Sequence, residues 1–160
     1  MSRYIEQALD PLHSQIETRI AAKLDDVESD ESLTAGSLEN PLDVLKFEAP
    51  QDLRSPLIQV FDIGARPYGA DGQRHGLYEV ACRVRAQVAN DGDAEAGEEK
   101  ARRYSDAVKR SILHDATLGG AVLQVVITGE APSAQLNDTT STFNFYDIDC
   151  DVLVQSITGG

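Results

Sequence analysis

Two segments alternate apolar and polar residues over their whole length, and they constrain the fold most. In "LYEVACRVRAQVA", Tyr78, Val80, Cys82, Val84, Ala86 and Val88 alternate with Glu79, Arg83, Arg85 and Gln87. In "FNFYDIDCDVLVQS", Tyr146, Ile148, Cys150, Val152 and Val154 alternate with Asp147, Asp149 and Asp151. A period of two sends successive side chains to opposite faces of a strand. Each segment therefore predicts a strand with one buried and one polar face, in a sheet covered on one side.

Helices supply that cover. Ile5, Leu9, Leu12, Ile16, Ile20 and Leu24 recur at steps of three and four, the apolar stripe of a helix. Pro11 falls inside the pattern, so either the helix kinks there or it starts near Asp10 with proline in its first turn. The clearest helix lies in "NDGDAEAGEEKARRYSDAVKRSILHDATLGG". Asp91 or Asp93 caps it, Glu98 and Glu99 suit the positive end of its dipole, and Lys109, Arg110 and His114 lie late. Glu98 with Arg102, Glu99 with Arg103, and Asp106 with Arg110 have i,i+4 spacing. Ala101, Tyr104, Val108 and Ile112 form its buried stripe, and Gly119 and Gly120 end the segment.

The remaining elements follow from composition. Between Asp25 and Asp52 nine acids face a single base, Lys46, and "DDVESDES" reads as an exposed acidic loop within this acidic segment at about 25–52. "NPLDVLKFEAP" suits a short helical turn or an edge strand. "LIQVFDI" (57–63) reads as a strand, and the glycine-rich "GARPYGADGQRHG" (64–76) as a long hairpin loop. A third strand is expected at about 121–128 and a fourth at 142–156, joined by the polar "GEAPSAQLNDTTS". The order is α-β-β-α-β-β. The predicted fold is α+β, mainly antiparallel sheet with two main helices on one face, and a single domain over 1–160.

The chain has 160 residues and a formal net charge of −13. That charge opposes binding to nucleic acid by counterion release. No apolar run is long enough for a membrane helix, and "MSRYIEQALD" carries no signal-peptide hydrophobic region. Cys82 and Cys150 occupy apolar phases of strands without CxxC or Cys/His spacing, and read as reduced, buried thiols of a cytoplasmically made protein.

No catalytic or cofactor constellation stands out. An EF-hand loop would place glycine after the third acid and glutamate beyond; here Val152 follows Asp151. Asp147, Asp149 and Asp151 therefore read as a solvated stripe, with a weak cation site shared between subunits as the other possibility. His13, His75 and His114 lack metal-ligand spacing. The serines lack a GxSxG elbow, and the loop glycines match neither a P-loop nor GxGxxG. The loop is a flexible tip or a subunit or tube contact element, since Arg66, Tyr68 and Arg74 decorate it and Arg and Tyr are enriched at interfaces.

Taken in order, "IEQALDPLHSQIETRIAAKL", "SPLIQVFDIG", "YEVACRVRAQVAN", "AGEEKARRYSDAVKRSIL", "DATLGGAVLQVVITGEAP" and "TFNFYDIDCDVLV" resemble the tail terminator (tail completion, minor tail) proteins of long-tailed bacteriophages, especially contractile-tailed ones. Arg103, Tyr104 and the "LGG" of Leu118–Gly120 carry the resemblance most sharply, and the acidic segment at about 25–52 departs from it, which implies an insertion relative to that family. The resemblance implies a virion structural protein, not an enzyme. It implies a hexameric ring, assembled in the host cytoplasm, that caps the tail tube and offers a surface to head-to-tail connector or neck proteins. DNA would pass through its lumen unbound. The same pattern also suits a stopper or adaptor of the neck, and a small ligand-binding or hydrolytic α+β domain is a third reading.

Overall fold

The computed structural model describes residues 3–69, 75–132 and 143–155. Its elements run α1 (Arg3–Asp30), β1 (Asp43–Leu45), β2 (Leu57–Pro67), β3 (Leu77–Ala89), α2 (Ala94–Leu113), β4 (Gln124–Pro132) and β5 (Phe143–Gln155). The strands form one sheet in the order β1-β2-β3-β5-β4, with β1 parallel to β2 and every other pairing antiparallel. The fold is α+β. The edge strand among the readings of "NPLDVLKFEAP" is the one that forms, as β1.

The alternation sets the layers. Val80, Cys82, Val84, Ala86 and Val88 of β3 and Ile148, Cys150, Val152 and Val154 of β5 are buried in one core with Ile58, Val60 and Val125. Both helices close that core: α1 through Leu9, Leu12, Ile16, Ile20 and Leu24, and α2 through Ala101, Tyr104, Val108 and Ile112. Polar tethers fix the helices to each other and to the sheet. The Gln15 amide donates to the carbonyls of Ser111, Ile112 and Asp115 at 2.9, 3.0 and 3.1 Å, which satisfies the end of α2 from α1. His13 Nε2 lies 2.6 Å from the Val44 carbonyl of β1. Asp93, rather than Asp91, is the N-cap of α2, accepting from Ala96 N–H at 3.1 Å.

Three expectations need correction. The acidic run is not all loop: α1 continues through Pro11 to Asp30, and Val27 and Glu28 are buried. Acids at a helix C-terminus oppose the dipole, but partners elsewhere in the chain absorb them. Arg110 meets Asp30 at 2.6 Å and Arg103 meets Glu31 at 3.3 Å. Glu28 accepts from Leu38 N–H at 2.8 Å, which holds its carboxyl below the usual range. The hairpin is shorter than expected, because β2 runs on to Pro67 past a bulge between Asp62 and Gly64, where Gly64 takes φ +148°. The third strand starts at Gln124 because 115–123 is a built turn. Leu118, Gly119 and Gly120 all have positive φ, and the Asp115 carboxylate accepts from Thr117 and Gly119 N–H at 2.9 and 3.0 Å. Those contacts, the Thr117 hydroxyl first, lower the Asp115 pKa. The "LGG" motif is thus a backbone requirement, met most cheaply by glycine.

Gly97 in the first turns of α2 tests the packing. Alanine is the better helix former by about 1 kcal/mol. Yet a Cβ at Gly97 would stand 2.9 Å from the Asn90 Cα and crowd Asn144. Overpacking against backbone costs about 1–3 kcal/mol. Gly97→Ala is expected to lower the thermal midpoint; a midpoint above wild type would contradict this close approach.

Candidate functional site

The sheet face opposite the helices divides into a covered half and an open half. Over the covered half, residues 46–56 cross the sheet as a strap. Ala49 N–H donates to Gln59 Oε1 (2.8 Å), Gln59 Nε2 to Gln87 Oε1 (3.2 Å), and Gln87 Nε2 to the carbonyls of Asp52 and Arg54 (2.7 and 2.9 Å). The Ser55 hydroxyl accepts from Ala89 N–H at 2.7 Å. Under the strap β2 is buried on both faces from Leu57 to Phe61. Most of the strap lies in the acidic segment 25–52, and it makes a second small layer.

Next to the strap runs an ion-pair ladder. Arg85 and Asp147 are opposed in the β3–β5 register, as are Arg83 and Asp149. Each pair is bidentate: Arg85 Nε and Nη2 lie 2.9 and 3.2 Å from Asp147, and Arg83 Nε and Nη2 lie 2.8 and 3.0 Å from Asp149. Arg85 is buried, sits 5.3 Å over the Phe61 ring and reaches Glu48 at 3.2 Å. Burial works against its charge, but the Asp147 and Glu48 carboxylates hold its pKa above the ordinary arginine value.

The third aspartate differs. Asp151 stands opposite Ala81, so no cation faces it across the register. It lines a depression of about 250 Å³ with Gly64, Ala65, Arg66, Glu79 and Ala81. Burial raises the Asp151 pKa and the Glu79 charge adds to this, while Arg66 offsets it in part. The stripe of three aspartates is therefore two arginine-saturated carboxylates and one without an arginine opposite. Among the described residues no three His, Cys, Asp or Glu side chains gather as a metal ion would require.

The candidate contact residues separate. Arg66 belongs to β2 rather than to a loop, and its guanidinium is bonded to Glu79 while remaining largely exposed. Tyr68 is exposed at the turn, its N–H donating to the Leu77 carbonyl at 2.9 Å. Arg74 lies outside the described residues. Exposed apolar side chains stand near both sheet edges, Leu42 and Phe47 flanking β1 and Leu123 and Val126 at β4, while the exposed Leu53 lies in the strap between residues held to Gln87. Leu123 and Val126 sit in the apolar run "AVLQVVI" and look like core residues in the sequence. No described helix is long and apolar enough to cross a membrane. Neither a family model nor a curated protein matches this chain.

Two substitutions probe this face. Arg85→Leu removes the bidentate partner of Asp147, leaving it only the longer 3.7 Å approach of Arg83 Nε, and is expected to cost about 3 kcal/mol in denaturant unfolding, with Arg85→Leu plus Asp147→Leu recovering most of it. Equal loss in the single and double variants would show that the pair is not coupled. Asp151 has the opposite sign. Its folded-state pKa lies above the unfolded one, so stability falls as pH rises through that window. Asp151→Asn should melt at or above wild type at pH 7, with the difference gone near pH 3, where the wild-type carboxyl is protonated; a lower melting point at pH 7 would contradict the raised pKa.

Proposed function

We propose that this chain is a virion structural protein that assembles head to tail into a ring, caps a phage tail tube and stops its elongation. The observation that carries the reading is the pair of free sheet edges. β1 and β4 are the outer strands, and among the described residues neither outer edge is paired. Unpaired strand edges are templates for another chain. Exposed Leu42 and Phe47 flanking β1 and Leu123 and Val126 at β4 give each edge an apolar rim. Two different patches on opposite sides of one subunit suit a heterologous interface, which closes into a ring when the rotation per subunit permits.

The order of elements along the chain supports the same reading through its resemblance to tail terminators. The negative charge suits a lumen that DNA crosses without sticking. The mechanism is steric: a subunit that docks on the last tube ring but offers no copy of the tube's growing surface ends growth. Tyr68 and Arg66, at the exposed end of the β2–β3 hairpin, are the side chains proposed to reach the tube.

The test is polymerisation of the cognate tail tube protein with and without the purified chain. Substoichiometric chain is expected to shorten the tubes and to be seen as a ring at one end, and Tyr68→Ala to weaken that end binding. An unchanged length distribution with no end-bound chain would overturn the proposal. Binding at the end without any change in length would favour a neck protein.

A further inference from the structure

Cys82 and Cys150 stand directly opposite each other in the β3–β5 register. Residues opposed across antiparallel strands have Cα atoms about 4.5–5.5 Å apart, and a disulfide spans Cα separations of roughly 4.4–6.8 Å. Both side chains belong to the same buried core beneath the helices, and both are free thiols. Cys82 Sγ has only a 3.8 Å contact with the carbonyl of Val80, which leaves the sulfur without a strong competing partner. The sequence hides this pairing, since 68 positions separate the two cysteines.

We infer that Cys82 and Cys150 form a latent disulfide site, which locks the two central strands together when the chain meets an oxidant of the small-disulfide class. The step balances as two successive exchanges. One cysteine thiolate attacks a sulfur of the small disulfide RSSR, forming a mixed disulfide and releasing one RS⁻. The second thiolate attacks the protein sulfur of that mixed disulfide, forming the Cys82–Cys150 bond and releasing the other RS⁻. Protons lost by the two thiols leave on the two RSH products, so two thiols are oxidised and one RSSR is reduced.

Burial makes the site latent rather than reactive. Loss of water raises the Cys150 pKa to about 12, with the Asp151 and Asp149 charges adding to it, and loss of water followed by the Cys150 charge raises that of Cys82 as well. Exchange therefore needs the helical layer to lift from the strands, and in a reducing compartment the pair stays as thiols. In an oxidising medium the bond, once formed, closes a long loop and restricts the unfolded chain. The inference stands apart from the tail-terminator reading.

The test has two arms. In the first, folded protein is held with excess oxidised glutathione at mildly alkaline pH in sub-denaturing urea, then denatured, alkylated with iodoacetamide and weighed intact. The expected product is about 2 Da lighter than the reduced chain, the loss of two hydrogens, and takes up no alkyl group. Cys82→Ser and Cys150→Ser should each stop at a single glutathione adduct or a single alkylated thiol. In the second arm the disulfide is formed in denaturant and the denaturant removed. The oxidised chain is expected to refold with a native spectrum and to melt several degrees above the reduced one. If the folded protein yields only adducts or alkylated thiols, and the preformed disulfide blocks refolding or lowers the melting point, the register does not hold a disulfide and the inference fails.

Discussion

The antiparallel pairing of β3 with β5 decides where every other part of the molecule goes. Leu77–Ala89 and Phe143–Gln155 pair along their full length without a bulge. Because side chains alternate, one register sends Val80, Cys82, Val84, Ile148 and Val152 inward and Arg83, Arg85, Asp147 and Asp149 outward. A slip by one residue would turn the charged set into the core beneath the helices. The arginine–aspartate pairs oppose such a slip, since each would lose its partner across the strand. β2 and β4 then flank this central pair, and α1 and α2 cover the apolar side.

The outer face shows how a polar surface becomes a second layer. Gln59 and Gln87 are buried, which leaves amides that must find partners. They find each other and the backbone of the strap, so segment 46–56 is held by side-chain amides rather than by a large apolar cluster. The strap ends before the depression at Gly64, Ala65 and Ala81. Among the described residues, that half of the sheet and the outer edges of β1 and β4 stay uncovered.

The fold was legible where a period repeats. The two long strands, the α1 stripe and the α2 stripe with Tyr104 could be read from spacing alone, because burial on one face demands that spacing. The end of α1 could not: its acids look like loop, and the partners that help make them tolerable, Leu38 N–H for Glu28 and Arg110 for Asp30, with Arg103 on Glu31 just past the helix, lie elsewhere along the chain. The strap was hidden for a similar reason, since Gln59 and Gln87 resemble surface residues until Ala49, Asp52 and Arg54 are brought over them. On the outer face, alternation placed the three aspartates together, but only the register shows that two face arginines and one faces alanine. The glycines around Arg66 suggest a loop, whereas Gly64 makes a bulge and the strand continues to Pro67.

In the proposed reading, the two unlike edges serve to join copies of the chain and the exposed Arg66 and Tyr68 serve to meet a tube. The most direct measurement is the length distribution of tails from a phage lacking this gene, imaged beside the same phage complemented in trans. The account predicts tails of irregular, excessive length without heads in the null and restoration on complementation. Null tails of normal length, blunt-ended and joined to heads, would contradict it.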